Sequence, residues 1–165
     1  METNDKHVPA IDELTGLPAP DDVQIASEAK TAPPCYVSFC CAEKRPDEGD
    51  LPAIERYTAS RVHDVYRWAR RDSADFRIFS GRFGLLSASD PIPWYDHVLQ
   101  LEEVPHMAVR VATQLEEQCL HRLVVYTSEV EKDPGLLIYL GCLQVAAGSV
   151  GDVTVEHREM TGDGW

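Results

Sequence analysis

The sequence predicts an α/β fold, with helices on both faces of a mostly parallel sheet of about four strands, and three observations lead there. Short runs of β-favouring apolar residues alternate with amphipathic segments of helical period, in the order strand, helix, strand, helix, strand, helix, strand. The first run, residues 36–41, is mostly apolar throughout, as in a strand buried on both faces, and residues 123–127 form the third strand. A length of 165 residues with 44% hydrophobic and 26% charged side chains suits one ordinary core.

Taken in order, residues 1–34 hold no Phe, Tyr or Trp, five of the eleven prolines, and seven acids against two lysines. Such a segment buries too little apolar area to offset its ordering entropy, so a flexible acidic arm is expected ahead of a single α/β domain over 35–165. After the strand at 36–41, a polar loop with Pro46, Gly49 and Pro52 leads to a helix over 58–71, on which Val62, Val65, Tyr66 and Ala69 form one stripe. A second strand at 76–80 runs into a glycine-flanked turn and a proline-punctuated loop. Pro105 suits the first turn of the next helix, whose apolar face is Ala108, Val111, Ala112, Leu115 and Cys119.

Beyond the third strand, Asp133 is expected to cap a helix that has Pro134 in its first turn, is apolar from 136 to 147 and closes at Gly148. Apolar nearly all round, this helix should be buried or face a second copy or a partner. Residues 153–157 alternate like an edge strand. This order is that of a three-layer Rossmann-like domain, where ligands bind beyond the strand carboxyl ends, so the chemistry is expected in residues 40–57 and 80–96.

Charge refines that expectation. Fifteen Lys and Arg against 28 Asp and Glu give a net charge of −13, a surface that repels nucleic acid at long range. Nine of the fifteen basic residues nevertheless fall between positions 44 and 82, among seven acids. The pattern indicates a small, local anion site and no broad nucleic-acid surface. Lys44 and Arg82 each follow a strand, whereas Arg67, Arg70 and Arg71 read as a solvated helix face. Four lysines among so many acids also match adaptation to high salt, a reading that needs no ligand.

No apolar run approaches the roughly 18 residues that span a bilayer, and the five cysteines lack the spacing of a disulfide scaffold. A cytoplasmic protein without membrane contact is expected. Adjacent Cys40 and Cys41 would point to opposite faces of a strand, so neither a metal nor a cofactor is assigned. Dinucleotide and Walker glycine loops, the nucleophile elbow and the zinc-protease motif are all absent. Gly81-Arg82-Phe83-Gly84 suits a tight turn with exposed amides that could receive an anion. Trp94 and Tyr95, flanked by Pro91 and Pro93, form a stiff aromatic lip that would stack on a base or pack over the sheet end. Asp96-His97 reads either as an acid/base pair or as an exposed loop.

Four blocks carry a resemblance: Cys40-Cys41-Ala42-Glu43-Lys44, Tyr57-Thr58-Ala59-Ser60, Phe79-Ser80-Gly81-Arg82-Phe83-Gly84-Leu85-Leu86 and Pro93-Trp94-Tyr95-Asp96. In this order they resemble an uncharacterised family of small bacterial and phage α/β domains with the blocks Cys-Ser-x-x-Lys, Leu-Tyr-x-Ser, Leu-Ser-Ala-Lys-Tyr-Gly-Leu and Pro-Tyr-Asp. Here Cys41 stands in place of the Ser, and Arg82 keeps the positive charge of the Lys. A more distant similarity is to the lysine-bearing domain of archaeosine synthase, which acts on a modified transfer-RNA base. It implies Lys44 as nucleophile, with Tyr57 and Ser60 positioning groups or relaying protons, although the spacing from Lys44 to Tyr57 is longer here.

The expected function is that of an enzyme or enzyme-like domain acting on a nucleobase, nucleotide or modified nucleic acid through a lysine-centred anion site. Lys44 would attack or bind the anionic group, with Tyr57 and Ser60 orienting it. Ser80 and Arg82 would hold a phosphate or carboxylate, Trp94 and Tyr95 would cover the base, and Cys41, Gly84 and Asp96 complete the ligand-binding set. The alternative is a non-catalytic accessory protein that contacts a protein partner through the acidic arm and the 134–148 helix.

Overall fold

A computed structural model of the chain describes residues 32–161. Of the arm expected over 1–34, all but the last three positions lie outside the described residues. The architecture is mixed α/β. Its strands are β1 (Cys35–Phe39), β2 (Leu51–Pro52), β3 (Asp75–Ser80), β4 (Gly84–Leu86), β5 (Pro91–Ile92), β6 (Arg122–Thr127) and β7 (Thr154–Glu159). Its helices are α1 (Ala53–Arg56), α2 (Ser60–Asp72), α3 (Val104–Glu117), which follows a 3-10 turn at Leu101–Glu103, and α4 (Leu136–Val150).

Five strands form one sheet in the order β4-β3-β1-β6-β7, parallel except for β4. The central strand β1 is flanked on both sides by apolar ladders, Tyr36 beside Phe76 and Val124, and Phe39 beside Phe79. Side-chain alternation along the strands then divides the core in two. Val37, Phe39, Phe79, Leu123 and Val125 pack against Val111 and Leu115 of α3 and Leu140 and Leu143 of α4. Tyr36, Phe76, Ile78, Val124 and Tyr126 pack against Val62, Val65 and Ala69 of α2. Full burial of each such side chain contributes about 1.5–3 kcal/mol.

The expected parallel strands are present, and the sheet is larger than expected by one. β4 was expected to be loop; Gly84, with φ +77°, lets the chain reverse after the 81–83 turn and pair Ser80, Phe79 and Ile78 antiparallel with Gly84, Leu85 and Leu86. The 44–56 loop likewise contains α1 and β2, which pairs with β5 through Leu51–Ile92 and Pro52–Pro91.

Helix boundaries shift for identifiable reasons. The helix after the first strand begins at Ser60 rather than at Thr58, because the backbone at Ala59 is extended, with ψ 134°. α3 ends at Glu117, and Cys119, expected on its apolar face, is an exposed residue with φ +51°. Regular α4 starts at Leu136, and the turn before it carries the expected cap: the Asp133 carboxylate accepts from Gly135 N–H, and Asp133 O from Leu136 N–H, each at 3.1 Å. It passes Gly148 and ends at Gly151, whose φ of +92° suits a glycine. One side of α4 is buried while Leu137 and Val145 stay exposed. No helix among the described residues is long and apolar enough to cross a membrane.

Candidate functional site

Two adjoining strands, β1 and β6, send the chain to opposite faces of the sheet, β1 toward α2 and β6 toward α4. A crevice opens where parallel strands diverge in this way, outside their carboxyl ends. Here it is a cavity of about 480 Å³, walled by Cys40, Lys44 and Arg61 on the β1 side, by Asp96 and Leu99, and by Leu136 and Tyr139 of α4.

Local pairing explains how Lys44 reaches it. Residues 43–45 run beside 56–58, with Arg45 N–H donating to Arg56 O at 2.8 Å, Thr58 N–H to Glu43 O at 3.1 Å, and a bridge between Lys44 and Tyr57. The long spacing between Lys44 and Tyr57 thus closes into direct adjacency. The Lys44 ammonium lies 4.5 Å from the Tyr95 ring centroid and 5.8 Å from that of Tyr57. Two electron-rich rings favour the cation there, each by about 0.5–1 kcal/mol. Among the described residues Lys44 has no carboxylate partner.

The loop carrying Lys44 is held from inside by Arg56, which is 0% exposed. Its guanidinium donates to the carbonyls of Arg45 (2.7 Å), Asp47 (2.9 Å), Gly49 (2.5 Å) and Ile92 (3.3 Å), leaving Nε as a buried polar atom without a partner among the described residues. Arg61 does similar work at the end of β1, donating to Phe39 O at 3.1 Å and Cys40 O at 2.9 Å. Both arginines act on backbone carbonyls, a role that their positions in the sequence do not reveal.

Beneath Lys44 runs a chain of hydroxyls. Ser80 Oγ accepts from the amides of Arg82 and Phe83, each at 3.2 Å, which engages both lone pairs. Its own proton is therefore directed to Tyr95 Oη at 2.8 Å, and Tyr95 in turn shares a hydrogen bond with the Tyr57 hydroxyl. Burial, followed by the nearby Cys40 sulfur, pushes the Tyr95 phenol up to about 12 and the Tyr57 phenol higher still. Both are neutral phenols near neutral pH, suited to orienting neighbours and not to accepting protons. The amides of the 81–84 turn, expected to be exposed to an anion, are in part spent on Ser80.

Cys40 and Cys41 both line the crevice, in different settings. β1 ends at Phe39, so both cysteines lie just past it, and Cys41 is buried with its thiol donating to Glu43 O at 3.0 Å. Burial raises its pKa, as for an inert structural thiol. Cys40 faces the crevice, with Sγ 3.9 Å from the Tyr139 hydroxyl, which accepts from Leu99 N–H at 3.1 Å.

Lys44, Tyr57, Ser80, Arg82 and Tyr95 thus come together, with the Arg82 guanidinium 5.7 Å from the same Tyr95 ring. Ser60 is exposed at the start of α2 and makes no hydrogen bond to this group among the described residues. His63 bonds the Tyr57 carbonyl instead, at 2.8 Å. The aromatic lip divides: Tyr95 is 2% exposed and Trp94 54% exposed. Gly84 belongs to the turn, since a Cβ there would lie 2.3 Å from Gln114 Oε1. Asp96 lines both the crevice and a second cavity of about 600 Å³.

No family model, curated protein or solved structure matches this chain.

The chemistry is accordingly read from the site. Among the described residues no three of His, Cys, Asp and Glu are grouped to hold a metal ion. The crevice offers one cation seated on aromatic rings, a thiol, and an apolar wall from Phe39, Leu136, Ile138 and Tyr139. Cys40, Arg61 and Tyr139 were not anticipated. Cys40 is freed for the crevice because the strand expected over 36–41 ends at Phe39, whereas nothing in the sequence marks Tyr139, on a helix of apolar composition, as a contributor.

Proposed function

We propose that the chain binds, and acts on, a small ligand combining an anionic group with a flat ring, of the nucleotide or nucleobase class, in the crevice between β1 and β6. The observation that carries this reading is the Lys44 ammonium, without a carboxylate partner among the described residues and 4.5 Å from the Tyr95 ring centroid, at a cavity whose far wall is apolar. An ammonium held this way attracts an anion while Leu136, Ile138 and Tyr139 receive a ring. In this reading Lys44 is the anion anchor or, once deprotonated, the nucleophile, and the neutral phenols of Tyr57 and Tyr95, with Ser80, fix its surroundings. Asp96 and Cys41 line the crevice, the exposed Ser60 and Trp94 are not among its lining residues, and Gly84 shapes the turn that carries Arg82.

The finer description of the fold as a three-layer Rossmann-like domain belongs to this proposal, supported by the divergence of β1 and β6 toward opposite faces. So does membership of the small bacterial and phage α/β family, supported by the adjacency of Lys44 and Tyr57, which carry two of its four blocks. A cytoplasmic location is supported by five cysteines that are all free thiols.

The test is calorimetric titration of adenosine monophosphate into the full-length protein and into Lys44→Ala. Binding that weakens by about tenfold or more in the variant, with an unchanged unfolding midpoint, is the expected result. Equal affinity in the two proteins, or no binding to either, would overturn it.

One observation favours the accessory reading: Leu137 and Val145 of α4 are 56% and 53% exposed. If that face docks a protein, Leu137→Glu with Val145→Glu abolishes the complex while adenosine monophosphate binding is untouched.

A further inference from the structure

The second cavity lies at the carboxyl end of β3, between the 81–83 turn and α3, and shares Asp96 and His97 with the crevice. Its cations are Arg82 and Arg110. Neither has a carboxylate partner among the described residues, although the chain carries 28 acids and most other exposed arginines are paired. The two are tied together, since Arg110 Nη1 donates to Arg82 O at 2.6 Å. The Arg82 guanidinium is further held 5.4 Å from the Phe83 ring centroid and 5.7 Å from that of Tyr95. Two guanidinium groups at one cavity, neither within ion-pair distance of the carboxylates of Asp96, Glu102 and Glu103 that also line it, form a receptor for an anion.

Acids in the same cavity restrict what that anion can be part of. Glu103 is engaged twice, by His97 Nε2 at 3.1 Å and by Gln100 N–H at 2.8 Å, which also fixes the histidine ring. Asp96 has no such bond among the described residues and stands where the two cavities meet, an acceptor placed for hydroxyl donors. Lys44 and Arg82 both lie within 6 Å of the Tyr95 ring centroid, and so no more than about 10 Å from each other. Two phosphates on either side of one sugar bridge such a span.

We propose that Arg82 and Arg110 form a second anion subsite, and that the ligand carries two phosphate-class groups, one at Lys44 and one at Arg82–Arg110, joined by a hydroxylated link beside Asp96. This deepens the reading above and rests on it for the Lys44 end alone. A net charge of −13 selects a small ligand over a nucleic-acid strand.

The test compares adenosine monophosphate with adenosine bisphosphate bearing one phosphate on each side of the ribose, titrated into the full-length protein, Arg82→Gln, Arg110→Gln and Lys44→Ala. The wild type is expected to bind the bisphosphate about tenfold more tightly. Both arginine variants should lose that preference, and Arg110→Gln should do so while keeping its affinity for the monophosphate and its unfolding midpoint. A wild type with no preference, or arginine variants that weaken both ligands equally, overturns the second subsite and leaves the Lys44 reading standing. Lys44→Ala with full monophosphate affinity, beside an arginine-dependent preference, overturns the Lys44 reading and leaves the subsite. A single-stranded oligonucleotide that binds more tightly than the bisphosphate overturns the small-ligand form.

Discussion

A buried guanidinium facing only neutral carbonyls, as Arg56 does, is tolerable because its donors are almost all used. Arg56→Met removes the charge and also strips carbonyls of the 45–49 loop of their partner, so the chain should lose about 2–4 kcal/mol of stability in urea denaturation. A loss below about 1 kcal/mol would show that water or neighbouring groups replace it. Tyr95 gives a pH signature. Its phenol titrates near 12 in the folded protein against an ordinary 10.0, so its contribution is intact below pH 10 and disappears as pH rises from 10 to about 12. Cys35, pushed up to about 12 from 9.0, and Cys142, to about 11, lose theirs over an overlapping window. Tyr95→Phe should therefore show a shallower decline of stability with alkaline pH than the wild type; an identical slope would remove Tyr95 from that account. At this scale the residues around Lys44 could be picked from the sequence because strand ends collect chemistry. The inward turn of Tyr95, the place of Cys40 beside Cys41 at the crevice, and the service of Arg56 and Arg61 to backbone carbonyls depend on where loops close, which no local pattern encodes.

Among the elements, the four parallel strands and three long helices are written in apolar periodicity, and they appear within a few residues of where that periodicity puts them. The pieces that escape are β2, β4, β5 and α1, each two to four residues long and too short to show a period. β4 matters most for the site, because the turn feeding it presents Arg82. Gly84 makes the reversal possible twice over: its φ of +77° disfavours any L side chain, and a Cβ would meet Gln114 Oε1, which accepts from Leu85 N–H at 2.8 Å. Gly84→Ala should cost about 1–3 kcal/mol and lower the unfolding midpoint, and a second change, Gln114→Ala, should not restore it, because the backbone strain remains. Full recovery in the double variant would show that the steric contact, and not the φ angle, set the cost.

For the whole molecule, the charge of −13 sets how an anion must approach. At long range the protein repels it, and only within the last few ångströms do Lys44, Arg82 and Arg110 attract it. Salt separates these two regimes, because the screening length falls from about 30 Å at 0.01 M to about 10 Å at 0.1 M ionic strength. The distant acidic surface is then silenced while cations at contact distance keep most of their pull. Association of an anionic probe such as adenosine bisphosphate should thus speed up as salt is raised over this range, opposite to the slowing seen when a basic surface steers nucleic acid. Stopped-flow association rates of the full-length protein at several salt concentrations measure this directly. Stability should move the same way, since screening also relieves repulsion among the 28 carboxylates. An association rate that falls as salt rises would mean that the cations act at long range after all, and that the local basic stretch, rather than the total charge, governs the encounter.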